Sequence, residues 1–487
     1  MRFGLNTRLV ASLIGQLAMF ESALLFLACG VAIYYGEDHW DYYVQSGGLA
    51  LGIGTRLKLL GIGAPDTITK KEGAIIVTSV WIVFSLIGMV PYLLTGTLDN
   101  VTDALFETMS GFTTVGASVI TDVEAQCHSI LFWRALTQWT GGIGIIVISL
   151  ALLPRFGFSG MMMFGAEMAG PTKEKLSPKI ADTAKKLGII YLALTVAETI
   201  ALRIGGMSLF DAVCHSMTTT STGGFSTKNS SIAYWGPSIQ YIILIFMFLS
   251  GINFTLLYFS VAKLQVKDLL RNAEFRFYVA IIAISTIFIA WQLIQHNGYD
   301  VEHAFRSAVF QTVNFITTTG LFSDDAAKWP HATWVVLAGC MFMGGCSSST
   351  SGAFKCVRGL MILKVIRNEM HQILHPNAVL PLKINKVNVP MQNRVTLLAF
   401  LSIYVGILVL VAFAMMLCGI DYTNALTISL SCIGNVGPSL GLEIGPTMSW
   451  SMLSDTAKWL CSMMMLVGRL EIFTVLVILT PAFWKKN

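Results

Sequence analysis

Charge is what this chain has least of. Asp, Glu, Lys and Arg make up 12% of its 487 residues, about half the share usual in a soluble domain. That scarcity excludes an ordinary solvated globule. The 54% hydrophobic content and mean hydropathy of +0.68 argue instead for an integral membrane protein. Paired cysteines are also missing. The nine cysteines form no CxxC pair, and no His stands at zinc-ligand spacing from Cys340, Cys346 and Cys356. A metal ribbon or disulfide framework is therefore excluded in favour of small buried hydrophobes. The apolar segments hold no carboxylate pair, no nucleophile with a base and no His/Asp cluster. That speaks against a membrane-bound enzyme, and no covalent cofactor is expected. The net charge of +5 is read as topology, with no nucleic acid as partner. No small-residue cleavage site follows Arg2 and Arg8, so the first apolar segment is expected to remain as an anchor.

What is present is a series of apolar runs of spanning length, at roughly 9–35, 42–62, 73–95, 130–153, 187–205, 237–262, 277–295, 332–344 with 354–366, 395–419 and 457–481. The eighth is interrupted and counts as one broken helix, giving ten crossings. With the amino terminus in the cytoplasm, basic residues fall on one side: Arg56, Lys58, Lys70 and Lys71, then Arg155, Lys173, Lys175, Lys179, Lys185 and Lys186. Lys263, Lys267, Arg271 and Arg276 follow, then Arg367, Lys383, Lys386 and Arg394, and finally Lys485 and Lys486. Glu37, Asp38, Asp41, Asp99, Asp103, Asp122, Glu124, Asp300, Glu302, Asp324, Asp325 and Glu443 fall on the other. This asymmetry fits the distribution of Lys and Arg in membrane proteins. It holds only if stretches such as "MSGFTTVGASVI", Met109–Ile120, dip into the membrane and return on the outer side.

That texture recurs. "TTVGAS", "STGGFS", "TTTGLFS" and "GNVGPSLG" align on Gly116, Gly223, Gly320 and Gly437, at intervals of about 100 residues. A short helix-compatible segment precedes each, with Asp103, Ser208, Asp300 or Asp421 near its start as a cap. Each unit reads span, short helix, Gly-centred loop, span. Four units run from about residue 73 to the end, after two additional amino-terminal spans. Irregular backbone is tolerated at membrane depth only inside protein or along a water-filled path. Four quasi-equivalent loops around one axis would supply carbonyl and hydroxyl oxygens to a dehydrated cation, with glycine allowing the φ values this needs. Outer acidic residues would raise the local cation concentration.

These loops, the ten-helix layout and the segment "VGRLEIFTVLVIL" resemble the Trk/Ktr/HKT superfamily of potassium transporters, and most of all its bacterial TrkH-type subunits, over essentially the whole chain. The resemblance implies an all-α polytopic membrane protein of the bacterial inner membrane. Four helix–pore-loop–helix repeats would surround a central pore, with two extra amino-terminal transmembrane helices. The expected boundaries are 1–72 for the addition, then 73–154, 155–264, 265–385 and 386–487 for the repeats. It further implies a homodimer embedded in lipid, a cytosolic nucleotide-binding TrkA-type regulatory subunit, and K+ as the transported ion. By the same resemblance, the coordinating oxygens would come from Thr114, Val115 and Gly116, from Ser221, Thr222 and Gly223, from Thr318, Thr319 and Gly320, and from Asn435, Val436 and Gly437. Gly rather than Ser at the first of these positions goes with potassium over sodium in that family. None of the loops reads TVGYG.

Two elements are gate candidates. "GGCSSSTSGAFK", Gly344–Lys355, interrupts an apolar span with small and polar residues, notably Gly344, Gly345, Ser347, Ser348, Ser349 and Gly352. It lacks the GxxxxGK[ST] order of a phosphate-binding loop and has no His to activate a serine. A plain kink or an intramembrane gating loop remains, and the resemblance favours the loop. Arg469 is a lone Arg in an apolar segment, which marks either an interhelical salt bridge, with Glu198 as candidate partner, or a cationic barrier lining the path. Met161–Lys186 reads as a membrane-surface connector or a regulator-docking segment. A sodium- or proton-coupled potassium symporter stands as the rival to a channel-like pore.

Overall fold

Close backbone approach organises the amino-terminal helices. The computed structural model describes residues 5–64, 69–151, 180–378, 380–385, 387–441, 445 and 447–485. In it α1 (Thr7–Tyr34) and α2 (Trp40–Leu60) form an antiparallel hairpin. Glycines are what let them touch: a Cβ on Gly15 would lie 2.6 Å from the Gly54 carbonyl oxygen, and one on Gly61 would lie 2.3 Å from Ser12 Cβ. Small residues at helix crossings replace the hydrophobic drive that lipid removes. The hairpin is tied to the next unit by Glu72. This residue closes a capping box with Thr69 at the start of α3 (Lys70–Gly88) and accepts the Asn6 N–H at 2.7 Å.

Four similar units follow. In the first, α3 and the single turn α4 (Val90–Leu94) lead to the short helix α5 (Val101–Phe112) and then α6 (His128–Ala151). The second comprises α7 (Ile180–Ile204), short helix α8 (Leu209–Thr220), α9 (Pro237–Ser250) and α10 (Phe254–Ala262). After a surface turn, α11 (Val266–Arg271), the third comprises α12 (Ala273–Gln292), short helix α13 (Val301–Ile316), α14 (His331–Met343) and α15 (Cys356–Leu374). The fourth comprises α16 (Met391–Leu417), short helix α17 (Tyr422–Gly434), α18 (Asp455–Arg469) and α19 (Phe473–Leu479), before a last turn, α20 (Pro481–Trp484). Among the described residues the only strands, Lys383–Ile384 and Val387–Asn388, form one hairpin between the third and fourth units. One apolar core joins the amino-terminal hairpin to units one and four, and a second joins units two and three.

The break expected only in the eighth crossing occurs in three. The sixth bends by 106° between α9 and α10, and the tenth by 114° between α18 and α19. The first of these follows from Asn253, whose side chain caps α10 by accepting from Thr255 and Leu256 N–H groups. The second follows from Glu471 and Ile472, whose φ values of 56° and 47° leave the helical region. The first has a Ser250–Gly251 pair and the second a single Gly468, far short of the Gly/Ser-rich run that marks the break between α14 and α15. Among the described residues five helices meet length and hydropathy requirements for a span, seven if each bent pair is counted as one. The chain is a multi-pass helical membrane protein.

The hairpin's glycine seam is directly testable. Gly54→Leu drives a branched side chain against the Met19 backbone, where even a Cβ would stand 2.9 Å from nitrogen. The expected cost is about 1–3 kcal/mol of overpacking, seen as a lowered melting temperature in detergent. Gly48→Leu, which meets open space, should leave the melting temperature unchanged.

Candidate functional site

Each short helix begins on a side-chain cap and ends in the same backbone motif. Asn100, Ser208, Asp300 and Asp421 accept from N–H groups of their first turns. Three of the four expected caps are therefore in place. In the first unit the cap is Asn100, and Asp103 instead pairs with Lys458 of the fourth unit at 2.6 Å. At the other end, the chain leaves each helix through a left-handed residue: Thr114, Thr222, Thr318 and Asn435, with φ of 54°, 54°, 56° and 54°. Two backbone bonds close each turn. Val115, Gly223, Thr319 and Val436 donate back to Ser110, Thr218, Asn314 and Ser431 at 2.8–3.0 Å, and each left-handed residue donates to the carbonyl three positions earlier. This is the glycine-type helix stop, here carrying β-branched Thr in three units of four. A β-branched residue at positive φ is an outlier, and such strain persists where the surroundings over-determine it.

The motif corrects the repeat alignment. Two residues beyond each left-handed position stands a glycine at φ 83–99°: Gly116, Gly224, Gly320 and Gly437. The second-unit equivalent is Gly224, not Gly223, because Ser221 takes the helix-cap place that Thr113 and Thr317 occupy. The "GG" pair offered two candidates, and only the helix end distinguishes them.

These glycines close a ring. A Cβ on Gly116 would lie 2.1 Å from the Gly223 carbonyl oxygen. One on Gly224 would lie 2.2 Å from that of Thr319, one on Gly320 2.7 Å from that of Val436, and one on Gly437 2.3 Å from that of Val115. Each loop thus touches the next in chain order, and the fourth touches the first. Side chains of α6 reinforce one seam: Gln138 donates to the Gly223 carbonyl at 2.6 Å and accepts the Phe225 N–H at 3.0 Å.

On one side the four ring glycines line a cavity of about 170 Å³, together with Arg134, Lys228 and Trp450. A buried ion pair that sequence reasoning missed supports its wall. Arg134 Nε meets Glu107 Oε1 at 2.9 Å, both side chains at most 2% exposed. Arg134 also donates to the Ser226 carbonyl and to Ser118 Oγ, both at 3.1 Å, and Glu107 accepts the Val119 N–H at 2.9 Å. The pair staples the first loop to the second. The only sequence signal was a charge within each of two apolar segments, Glu107 in the short helix α5 and Arg134 near the start of α6. Of the acids expected on one side of the membrane, Glu124 pairs with Lys228, Glu302 with Arg306 and Asp325 with Lys328. The Asn229 amide beside Asp122 holds that carboxyl below its ordinary range.

On the other side, at the helix ends, lies the segment Gly344–Lys355. Thr350 Oγ1 donates to the Thr220 carbonyl at 3.1 Å, the Gly352 N–H donates to Thr318 Oγ1 at 2.7 Å, and a Cβ on Gly352 would stand 2.2 Å from the Gly434 carbonyl oxygen. It therefore touches the second, third and fourth units at once. Gly345 packs on Ser351, and Ser349 bonds to Ser351 within the segment. Ser347 bonds to Glu274, and the Ser348 carbonyl accepts from Phe254. Gly344 holds φ 72°. Arg469 ends α18 at this segment, 3% exposed, with Nη1 donating to the Thr350 carbonyl at 2.9 Å. Its Nε and Nη2 have no protein partner. The candidate partner Glu198 is not bonded to it: Glu198 accepts from Thr220 Oγ1, and Glu471 pairs with Arg358. All nine cysteines are free, and the described residues hold no cluster of metal-ligating side chains. Residues 161–179 of the basic connector lie outside the described residues.

A ring of four inward-folded loops, with a cavity on one side and the Gly344–Lys355 segment on the other, is irregular backbone of the kind that membrane transport proteins keep inside protein or along a water-filled path. Residues 53–486 match the TrkH family, described as cation transport proteins, and the chain belongs to it. It is 35% identical to the Trk system potassium uptake proteins TrkH of Salmonella typhimurium and Escherichia coli K12, over 99% of this chain and 100% of each relative. It is 33% identical to TrkG of Escherichia coli K12, over 99% of both. The crystal structure of the potassium transporter TrkH from Vibrio parahaemolyticus superposes with a TM-score of 0.91 at 33% identity, covering 100% of both chains.

Two outcomes are expected of the ring's supports. Glu107→Gln leaves Arg134 buried without its countercharge and should cost about 3–5 kcal/mol, read as a large fall in melting temperature. Gly224→Ala combines positive φ with a clash on backbone, whereas Gly223→Ala meets only the Gln138 side chain. Gly224→Ala should therefore lower the melting temperature more, and the reverse order would contradict the alignment.

Proposed function

We propose that this chain carries K+ into the cell through a gated, channel-like pore, with the four loops as its selectivity filter. The observation that carries the reading is the closed ring of left-handed glycines and its neighbouring backbone oxygens. Backbone oxygens in rows can replace the hydration shell of a monovalent cation. The coordinating rows are Thr114, Thr222, Thr318 and Asn435, then Val115, Gly223, Thr319 and Val436, then the four glycines. The segment Gly344–Lys355 and Arg469 form the gate. An incompletely bonded guanidinium beneath the ring is a barrier to a cation, and displacement of the segment relieves it. The ion moves with its electrochemical gradient, at about 2.3 kcal/mol per charge for each 100 mV. No chemistry is performed on it.

The remaining features follow the relatives. Because those relatives are named as parts of a Trk system, we assign this chain to the same kind of assembly: a homodimer in the bacterial inner membrane, amino terminus inside, with a cytosolic nucleotide-binding regulator. The units are divided at 73, 155, 265 and 386.

Growth rescue by potassium in cells lacking their own uptake systems, with rubidium and sodium flux in the same strain, tests the reading. Gly116→Ser should lower the potassium-to-sodium permeability ratio, and Arg469→Ala should raise basal flux. An unchanged ratio contradicts the filter, and unchanged flux contradicts the barrier. Unitary currents far above carrier turnover would exclude the symporter.

A further inference from the structure

The segment at the base of the ring does not hold its shape by local preference. Ser348, Ala353 and Lys355 sit at φ 54°, 60° and 77°, a region that side chains with a Cβ rarely adopt. Something outside must hold it. Its amino-terminal half has one charged anchor, Glu274, in the first turn of α12 and 3% exposed. Glu274 Oε1 accepts the Ser347 N–H at 2.6 Å and Oε2 accepts the Ser347 hydroxyl at 2.8 Å. Both oxygens of this buried carboxylate accept from Ser347, with the Val357 N–H just beyond the segment as a further donor. Such charge-assisted bonds are the strong ones, and a buried carboxylate needs partners of this kind.

The same helix start is fixed from the cytosolic side. Asn272 caps α12 by accepting from Glu274 and Phe275 N–H groups, at 2.9 and 3.1 Å. The remaining first-turn donor, the Ala273 N–H, bonds at 2.8 Å to the side chain of Asn385. Asn385 ends the Lys383–Ile384 strand at φ 46°, in the small sheet that also accepts Lys364 Nζ at the Lys383 carbonyl. A contiguous hydrogen-bonded path runs from this hairpin through Asn385, Ala273, Glu274 and Ser347 to the segment that carries Thr350 and meets Arg469.

We infer that Glu274 is the positioning residue that latches the Gly344–Lys355 segment against the ring, and that Asn385 couples this latch to the cytosolic hairpin. The inference rests on the reading of that segment as a gate. Force or binding on the hairpin moves the amino terminus of α12, and the carboxylate moves with it. Because the path enters on the hairpin side, a cytosolic partner can reach the gate without touching the pore.

Rubidium flux through the full chain in liposomes tests this, with melting temperature measured in parallel. Glu274→Gln and Ser347→Ala should each raise maximal flux about tenfold, the shift expected when one charge-assisted bond is lost from the closed state alone, with the half-saturating rubidium concentration unchanged. The double variant should be less than additive, since the single variants share the hydroxyl–carboxylate bond, and Ser347→Thr should restore parental flux. Asn385→Ala should raise flux less. Should Glu274→Gln fail to fold, Ser347→Ala carries the test, because it removes one hydroxyl and leaves the carboxylate its backbone bond. Parental flux in Ser347→Ala and Glu274→Gln, with raised flux in Arg469→Ala, overturns the latch while leaving the gated pore standing. Additive effects in the double variant also overturn it. Parental flux in Asn385→Ala overturns the coupling to the hairpin. No rubidium or potassium flux in either the parent or Arg469→Ala overturns the underlying reading instead.

Discussion

A peptide group that loses water in the middle of a bilayer must find another partner, and this constraint organises the whole protein. Four times the chain abandons helical structure at membrane depth, and four times the same pair of backbone bonds closes the end of the short helix. Each loop then packs its glycine closely against a carbonyl of the next. The Gly344–Lys355 segment obeys the same rule from the other side. Its N–H groups at Cys346, Ser347, Gly352 and Phe354 are satisfied by Gly251, Glu274, Thr318 and Phe342, residues of the second and third units.

Buried charge divides into two kinds here. Arg134 has a carboxylate, a carbonyl and a hydroxyl around it, with the Phe225 ring 4.1 Å from its guanidinium carbon. It is a structural staple, costly to break and inert while whole. Arg469 has one carbonyl and two donors without protein partners. A guanidinium kept at that depth with so little compensation is expensive. The two buried arginines differ in what surrounds them, and only the packed structure shows it.

The units are repeats but not copies. Three end their short helices on Thr, while the fourth uses Asn435, whose amide donates to the Met465 carbonyl on α18 at 2.9 Å. Asn is among the few residues that take the left-handed region readily, so the fourth unit has less strain and an additional tie. Breaks fall in the last crossings of units two, three and four, whereas α6 of the first runs on as one helix through Ala151. The loop of the third unit is long enough to reach under the ring. The asymmetry sets the Gly344–Lys355 segment against one part of a nearly symmetric frame.

Hydropathy, the one-sided placement of Lys and Arg, and the four Gly/Thr stretches determined by themselves that this is a multi-pass protein of four units with re-entrant loops, because the bilayer allows few other solutions to such a pattern. The caps at Ser208, Asp300 and Asp421 were legible for the same reason: their chemistry is local. Everything that depends on a partner distant in the chain was decided by tertiary structure alone. Gly224 rather than Gly223 enters the ring because of where α8 ends. Lys458 claims Asp103, Arg134 finds Glu107, and Arg469 goes to Thr350 instead of Glu198, since a long side chain reaches whatever the packing brings within a few ångströms. The bends at Asn253 and at Glu471–Ile472 follow only a Ser250–Gly251 pair and a single Gly468, too little to separate them from an ordinary helix by composition.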